Sequence, residues 1–136
     1  MKSLETLLKI AQRKMDELGI EAARVGTEIA ELQMKQASLA AREENEVQLA
    51  TNDIQLAAML PAYRLKVKWQ ADQLRAQANA HEATLSEIRQ RLNAAYQEKA
   101  KFEQLIEQEA LRRAADRAMK EQAQLDEVAI NRVGKG

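Results

Sequence analysis

Thr51-Asn52-Asp53-Ile54-Gln55-Leu56-Ala57-Ala58-Met59-Leu60-Pro61 is the stretch that decides the fold. Thr, Asn and Asp are poor helix formers that favour caps and turns, because their short polar side chains bond nearby backbone. Pro has no N–H and clashes inside a helix, but it is accepted in a first helical turn. On both sides of this break the apolar residues repeat every seven positions, the signature of a left-handed coiled coil. Before it, Leu8, Met15, Ala22, Ile29 and Gln36 form the a series, and Leu4, Ala11, Leu18, Val25, Leu32 and Leu39 the d series. The next a and d positions are Glu43 and Glu46, so the apolar repeat fails there. After the break, Leu60, Val67, Leu74, His81, Ile88, Ala95 and Phe102 form the d series, and Ala71, Ala78, Leu85, Leu92, Lys99 and Ile106 the a series. The phase slips after Ile106, and a weaker stripe runs on through Leu111, Ala115, Ala118, Leu125 and Ala129. Gly134 is expected to end it, as Gly commonly does just past a helix.

Two long stripes and one short break predict an all-α fold, an antiparallel two-helix coiled-coil hairpin with a longer second helix. The expected organisation is one coiled-coil domain over 1–136, with helix 1 over about 3–50, a turn over about 51–61 and helix 2 over about 62–132. Whether 54–60 is a short helix or part of the turn stays open at this point. In such a pair the numbers of facing residues add to a constant. A sum of about 110 sets Leu4 against Ile106, Leu8 against Phe102, Leu18 against Leu92, Val25 against Leu85 and Glu46 against Arg64. Large residues then often meet small ones, as good packing wants. A sum of about 117 is the alternative one heptad away; it sets Gln36 against His81 but Leu8 against Glu109. Gly19 and Gly26, with Ala22, Ala23 and Ala30, give helix 1 a small-residue face. The reading is close helix approach opposite Ala80 and Ala83, or a soft point. Residues from about 110 onward have no partner in the hairpin.

Composition excludes much. Ala, Glu, Lys, Leu and Arg fill 78 of the 136 positions, the share expected of a coiled coil or long helix. The turn residues that a β-sandwich or barrel needs every 8–12 positions are missing. There is no Cys, hence no disulfide framework and no thiolate metal site. No apolar run approaches the roughly 20 residues that span a bilayer. Met1-Lys2-Ser3-Leu4-Glu5 carries charge at once and lacks a signal-peptide core. The expected setting is cytoplasmic.

Net charge is zero, which disfavours nucleic acid and anionic lipid as partners. Its distribution says more. Residues 21–60 carry net −4 and residues 61–75 net +3, so an acidic arm lies along a basic one near the turn. Lys9, Arg13 and Lys14, with Arg112, Arg113, Arg117 and Lys120 on the return helix, form a candidate basic tip at the open end, suited to an acidic cavity.

Chemistry-bearing constellations are lacking. There is no Gly-rich phosphate loop, Ser-centred elbow or metal-spaced His cluster. His81 reads as a polar residue at the core edge. Glu43, Glu44 and Glu46 read as a solvated helix end. The sequence therefore predicts no enzyme, no catalytic residue, no metal and no cofactor. Trp69 and Tyr63 fall off the seam, beside Leu60, Arg64 and Lys68, a patch of the type enriched in binding hot spots. Two classes fit this pattern on the residues alone: a holdase that binds unfolded chains, or a homodimer pairing two hairpins into a four-helix bundle.

Two terminal stretches narrow the choice. Lys2-Ser3-Leu4-Glu5-Thr6-Leu7-Leu8-Lys9-Ile10 and Lys120-Glu121-Gln122-Ala123-Gln124-Leu125-Asp126-Glu127-Val128-Ala129, with the charged middle between them, resemble the flagellar export protein FliJ family. The resemblance covers the whole length. It implies a non-enzymatic component of the flagellar type III export apparatus, needed for motility, with a hairpin like the coiled coil of the γ subunit of rotary ATP synthases. It implies three partners: a hexameric export ATPase whose pore takes the open end, the cytoplasmic domain of the export gate, and export chaperones. It implies neither nucleic-acid binding nor direct membrane insertion, and a place at the inner face of the flagellar base, peripheral to the inner membrane. Carried onto this chain, the gate-binding region falls at Leu60, Arg64, Val67 and Ala71, where Leu60 stands for an aromatic of the family, with Tyr63 and Trp69 nearby. The pore-facing set would be Lys9, Arg13, Lys14, Arg112, Arg113 and Arg117.

Overall fold

A computed structural model describes residues 2–135 as two helices, α1 over Lys2–Ala50 and α2 over Ile54–Lys135. They form a two-helix hairpin whose second helix, at 82 residues, is much longer than the first, at 49. The chain divides into two compact units, residues 1–15 with 94–136, and residues 16–93.

The turn is shorter than the sequence suggests. Among the described residues only Thr51, Asn52 and Asp53 lie outside the helices, and 54–60 is helical. The reason is the cap. The Asp53 carboxylate accepts hydrogen bonds from the backbone N–H of Gln55 at 2.9 Å and of Leu56 at 3.3 Å. The N–H of Ala57 then donates to the Asp53 carbonyl at 2.9 Å, the first bond of the new helix. An acidic N-cap of this kind satisfies donors that a helix start otherwise leaves orphaned. Thr51 closes α1: its hydroxyl donates to the Gln48 carbonyl, and its N–H does so at 3.3 Å. No described residue needs a positive φ, so the reversal works without glycine.

Helix 2 is thus capped by Asp53 and starts at Ile54, and Pro61 lies two turns inside it rather than at its start. Pro61 leaves the Ala57 carbonyl without its i+4 donor, a fault worth roughly 3 kcal/mol in a regular helix interior. The capped first turn and the half-buried Leu56, Leu60 and Tyr63 on its inner face hold the segment helical across it.

In the unit of residues 16–93 the register is the one in which facing numbers add to about 110. Arg64 Nε reaches Glu43 Oε1 at 3.3 Å, and His81 Nδ1 reaches Glu28 Oε2 at 3.4 Å. Val25 and Ile29 of α1 form one cluster with Leu85 and Ile88 of α2, flanked by Leu18 and Ala22. A sum of 117 would instead carry Glu28 to Arg89 and Glu43 to Leu74. The ion pair of Arg64 is made with Glu43 and not with the expected Glu46. Each fully buried aliphatic side chain in this cluster contributes about 1.5–3 kcal/mol.

The geometric seam outlasts its apolar chemistry. The seam of α1 in this unit steps by three or four through Leu18, Ala22, Val25, Ile29, Leu32, Gln36, Leu39, Glu43, Glu46 and Ala50, with Gly26, Glu28 and Val47 half-buried beside it. Glu43 and Glu46 therefore occupy true seam positions, half-buried, where apolar residues would sit earlier in the helix. Gly19 and Gly26 do not mark close approach. A Cβ built on either meets nothing within 4 Å, so the small-residue face leaves open space.

In the unit of residues 1–15 with 94–136, the sheltered residues of α1 are Leu4, Leu8, Ala11, Gln12 and Met15. On α2 they are Ala95, Lys99, Phe102, Ile106 and Glu109. Shelter ends there. Every described residue from 110 to 134 is exposed.

Candidate functional site: an aromatic-rimmed groove and a basic helix

The first candidate region lies on α2 just beyond the turn. Val67, 3% exposed, is a seam residue. Leu60, Tyr63 and Ala71 are half-buried, and Arg64 is exposed but tied to Glu43. Trp69 is 64% exposed. The six residues thus share one short segment but not one face: Leu60, Tyr63, Val67 and Ala71 lie on its sheltered inner side, and only Arg64 and Trp69 are exposed.

Trp69 flanks the seam rather than standing directly behind it. Gln70 shares the shelter given to Ala71, so the buried stripe is rotated by about a residue here. Trp69 consequently lines a groove of about 430 Å³ together with Lys35, Ser38 and Arg42 of α1 and Gln70, Gln73 and Gln77 of α2. An indole with two cations and three amides around it suits an amphipathic partner: apolar contact on the ring, hydrogen bonds and charge at the rim. Nearer the turn, Leu56, Met59, Leu60 and Tyr63 line a second groove of about 550 Å³, with Glu46 and Lys66 at its edge. Lys35 and Arg42 of the first groove, and Leu56 and Met59 of the second, were not legible as site residues. The proximity of Lys35 and Arg42 depends on the register across the hairpin, which local spacing cannot give, and that of Leu56 and Met59 on 54–60 being helical.

The second candidate region is basic. Lys9, Arg13, Lys14, Arg112, Arg113 and Arg117 are all exposed and belong to the same compact unit. They are not at one level. Lys9, Arg13 and Lys14 flank the paired stretch, whereas Arg112, Arg113 and Arg117 lie past Glu109, the last sheltered residue of α2. Glu109 organises the second set. Its carboxylate accepts from Arg112 at 2.7 Å and lies 3.5 Å from Arg113. One half-buried carboxylate thus orients two guanidinium groups at the start of the uncovered helix, a role that sequence spacing alone left unnoticed. Arg113, Asp116, Arg117 and Lys120 line a shallow depression beyond it.

Among the described residues no group of three or more His, Cys, Asp or Glu is placed to hold a metal ion. No described helix is long and apolar enough to cross a membrane.

An all-helical two-helix hairpin with an exposed Trp69 and exposed basic residues belongs to the class of coiled-coil proteins. Comparison sharpens the class: the family model described as flagellar FliJ protein matches residues 1–136. The chain belongs to the FliJ family and is a component of the flagellar export machinery. Comparison with curated proteins and with solved structures gives no significant match.

Proposed function

We propose that this chain is the non-enzymatic stalk of the flagellar type III export apparatus. Its basic unit, bearing Lys9, Arg13, Lys14, Arg112, Arg113 and Arg117, enters the central pore of the hexameric export ATPase and promotes its activity. The segment with Trp69, Tyr63, Leu60, Arg64 and Ala71, supported from beneath by Val67, meets the cytoplasmic domain of the export gate. Export chaperones are the third class of partner. The chain acts in the cytoplasm, peripheral to the inner membrane at the flagellar base.

The observation that carries this reading is the uncovered helix from 110 onward, opening with arginines held in place by Glu109, in a chain whose whole length matches the family. A long helix with no intramolecular partner is only weakly favoured by itself, so its natural use is inside another protein. Guanidinium groups on such a helix are suited to carboxylates lining a pore.

Co-sedimentation with the assembled cognate ATPase tests it. The wild-type chain is expected to sediment with the ring in low salt, and an Arg113→Glu/Arg117→Glu chain to remain in solution. Equal retention of both would overturn the assignment of the basic helix, and retention of neither would overturn the partner. Trp69→Ala is expected to leave ATPase binding intact and to weaken binding of the gate's cytoplasmic domain by tenfold or more, as loss of an aromatic anchor does.

A further inference from the structure

The uncovered part of α2 is amphipathic, and its apolar side does not face the way the hairpin seam faces. The seam of α2 steps through Ala95, Lys99, Phe102, Ile106 and Glu109. Continued at the same spacing it would meet Arg113, Asp116, Lys120, Ala123, Glu127 and Ile130, a line charged at four of its six positions. The apolar line is instead Leu111, Ala115, Ala118, Gln122, Leu125 and Ala129. Leu111 stands two residues after Glu109, which is the heptad position farthest from a and d. Leu111 and Leu125 are 65% and 64% exposed, and Met119 beside them is also bare. This is a separate face, on the opposite side of the helix.

Charge says what fits on it. Residues 110–120 hold Arg112, Arg113, Arg117 and Lys120 against a single Asp116. Residues 121–131 hold Glu121, Asp126 and Glu127 and no base. The helix is therefore basic in its first half and acidic in its second, at equal magnitude. The partner that complements this in both halves at once is the same helix run antiparallel.

We propose that residues 110–131 pair with the same segment of a second copy of this chain, antiparallel, about a two-fold axis near Lys120. Facing numbers then add to about 240. Leu111 meets Ala129 of the second copy, Ala115 meets Leu125, and Ala118 meets Gln122. Each large side chain lies against a small one, twice per dimer. Arg112 flanks this seam opposite Asp126 of the second copy, and Met119 meets its own copy at the axis. Glu121 meets its own copy there too, the one like-charge contact in the arrangement. A C2 pairing of this kind is closed and goes no further than a dimer.

Sedimentation equilibrium of the full chain across a concentration series, with no ATPase present, tests the proposal independently of the stalk reading. A monomer–dimer equilibrium that weakens with added salt is the expected result. Arg112→Glu and Asp126→Arg are each expected to weaken the dimer roughly tenfold, because two surface attractions become repulsions. The double exchange is expected to restore it. Glu121→Gln is expected to tighten it. Cysteine-free sequence makes direction easy to read: Leu111→Cys chains mixed with Ala129→Cys chains are expected to crosslink on oxidation, and neither alone. A chain that stays monomeric at the highest concentration overturns the proposal. So does crosslinking of Leu111→Cys to itself, which means parallel pairing, or failure of the double exchange to rescue.

Discussion

Helix α2 holds two regions of similar length and opposite circumstance. Between Leu85 and Glu109 every third or fourth residue is sheltered; between Ala110 and Gly134 none is. The amino-acid chemistry barely changes across this boundary: both regions are rich in Ala, Leu, Glu and Arg. What changes is whether α1 is present. Helix propensity is the same in both halves, so the difference isolates what tertiary packing adds. In the first region stability comes from the seam; in the second it rests on propensity and pairs such as Gln122 with Asp126 at 3.1 Å. The first region is scaffold and the second is free to be used by something else.

That contrast can be broken most forcefully at Ile88, which is 3% exposed in the central cluster. Ile88→Ala is expected to cost about 2–4 kcal/mol in urea unfolding, enough to collapse a hairpin with a single seam. Leu125→Ala deletes a similar side chain from the bare region and is expected to change monomer stability by less than about 0.5 kcal/mol. Equal effects would mean that the two regions are not different in kind. Pro61→Ala restores the missing backbone bond near the turn and is expected to stabilise by about 2 kcal/mol. Asp53→Ala removes the cap and is expected to cost about 1 kcal/mol. The smallest expected change comes from Gly19→Ala and Gly26→Ala. With open space at both positions, each should stabilise by about 0.5–1 kcal/mol, read as a rise in the urea midpoint. A loss at either would mean that the glycine serves a contact that only a partner supplies.

The heptads from Leu4 to Leu39 and from Val67 to Ile106 were plain in the sequence, because seven-residue spacing is a local property. The start of α2 was not. Pro61 is the louder signal in sequence, yet Asp53 determines the boundary, since a capped turn can carry a proline two turns later. The fate of Glu43 and Glu46 was also hidden: sequence shows two carboxylates where the stripe should continue, whereas the fold keeps them on the seam and gives Glu43 to Arg64. The exposed Trp69 and the arginines at 112, 113 and 117 could be picked out as surface features. Their neighbours Lys35, Arg42 and Glu109 could not, for the first two come from across the hairpin and the third looks like any other helix glutamate until its shelter is known.

The stalk reading is tested most directly by the rate of ATP hydrolysis of the cognate export ATPase, measured with and without this chain at matched ring concentration. The predicted result is a clear rise in turnover with the wild-type chain, lost on Arg113→Glu/Arg117→Glu and kept on Leu125→Ala. An unchanged rate at concentrations where the folded chain is in excess over the ring would contradict it.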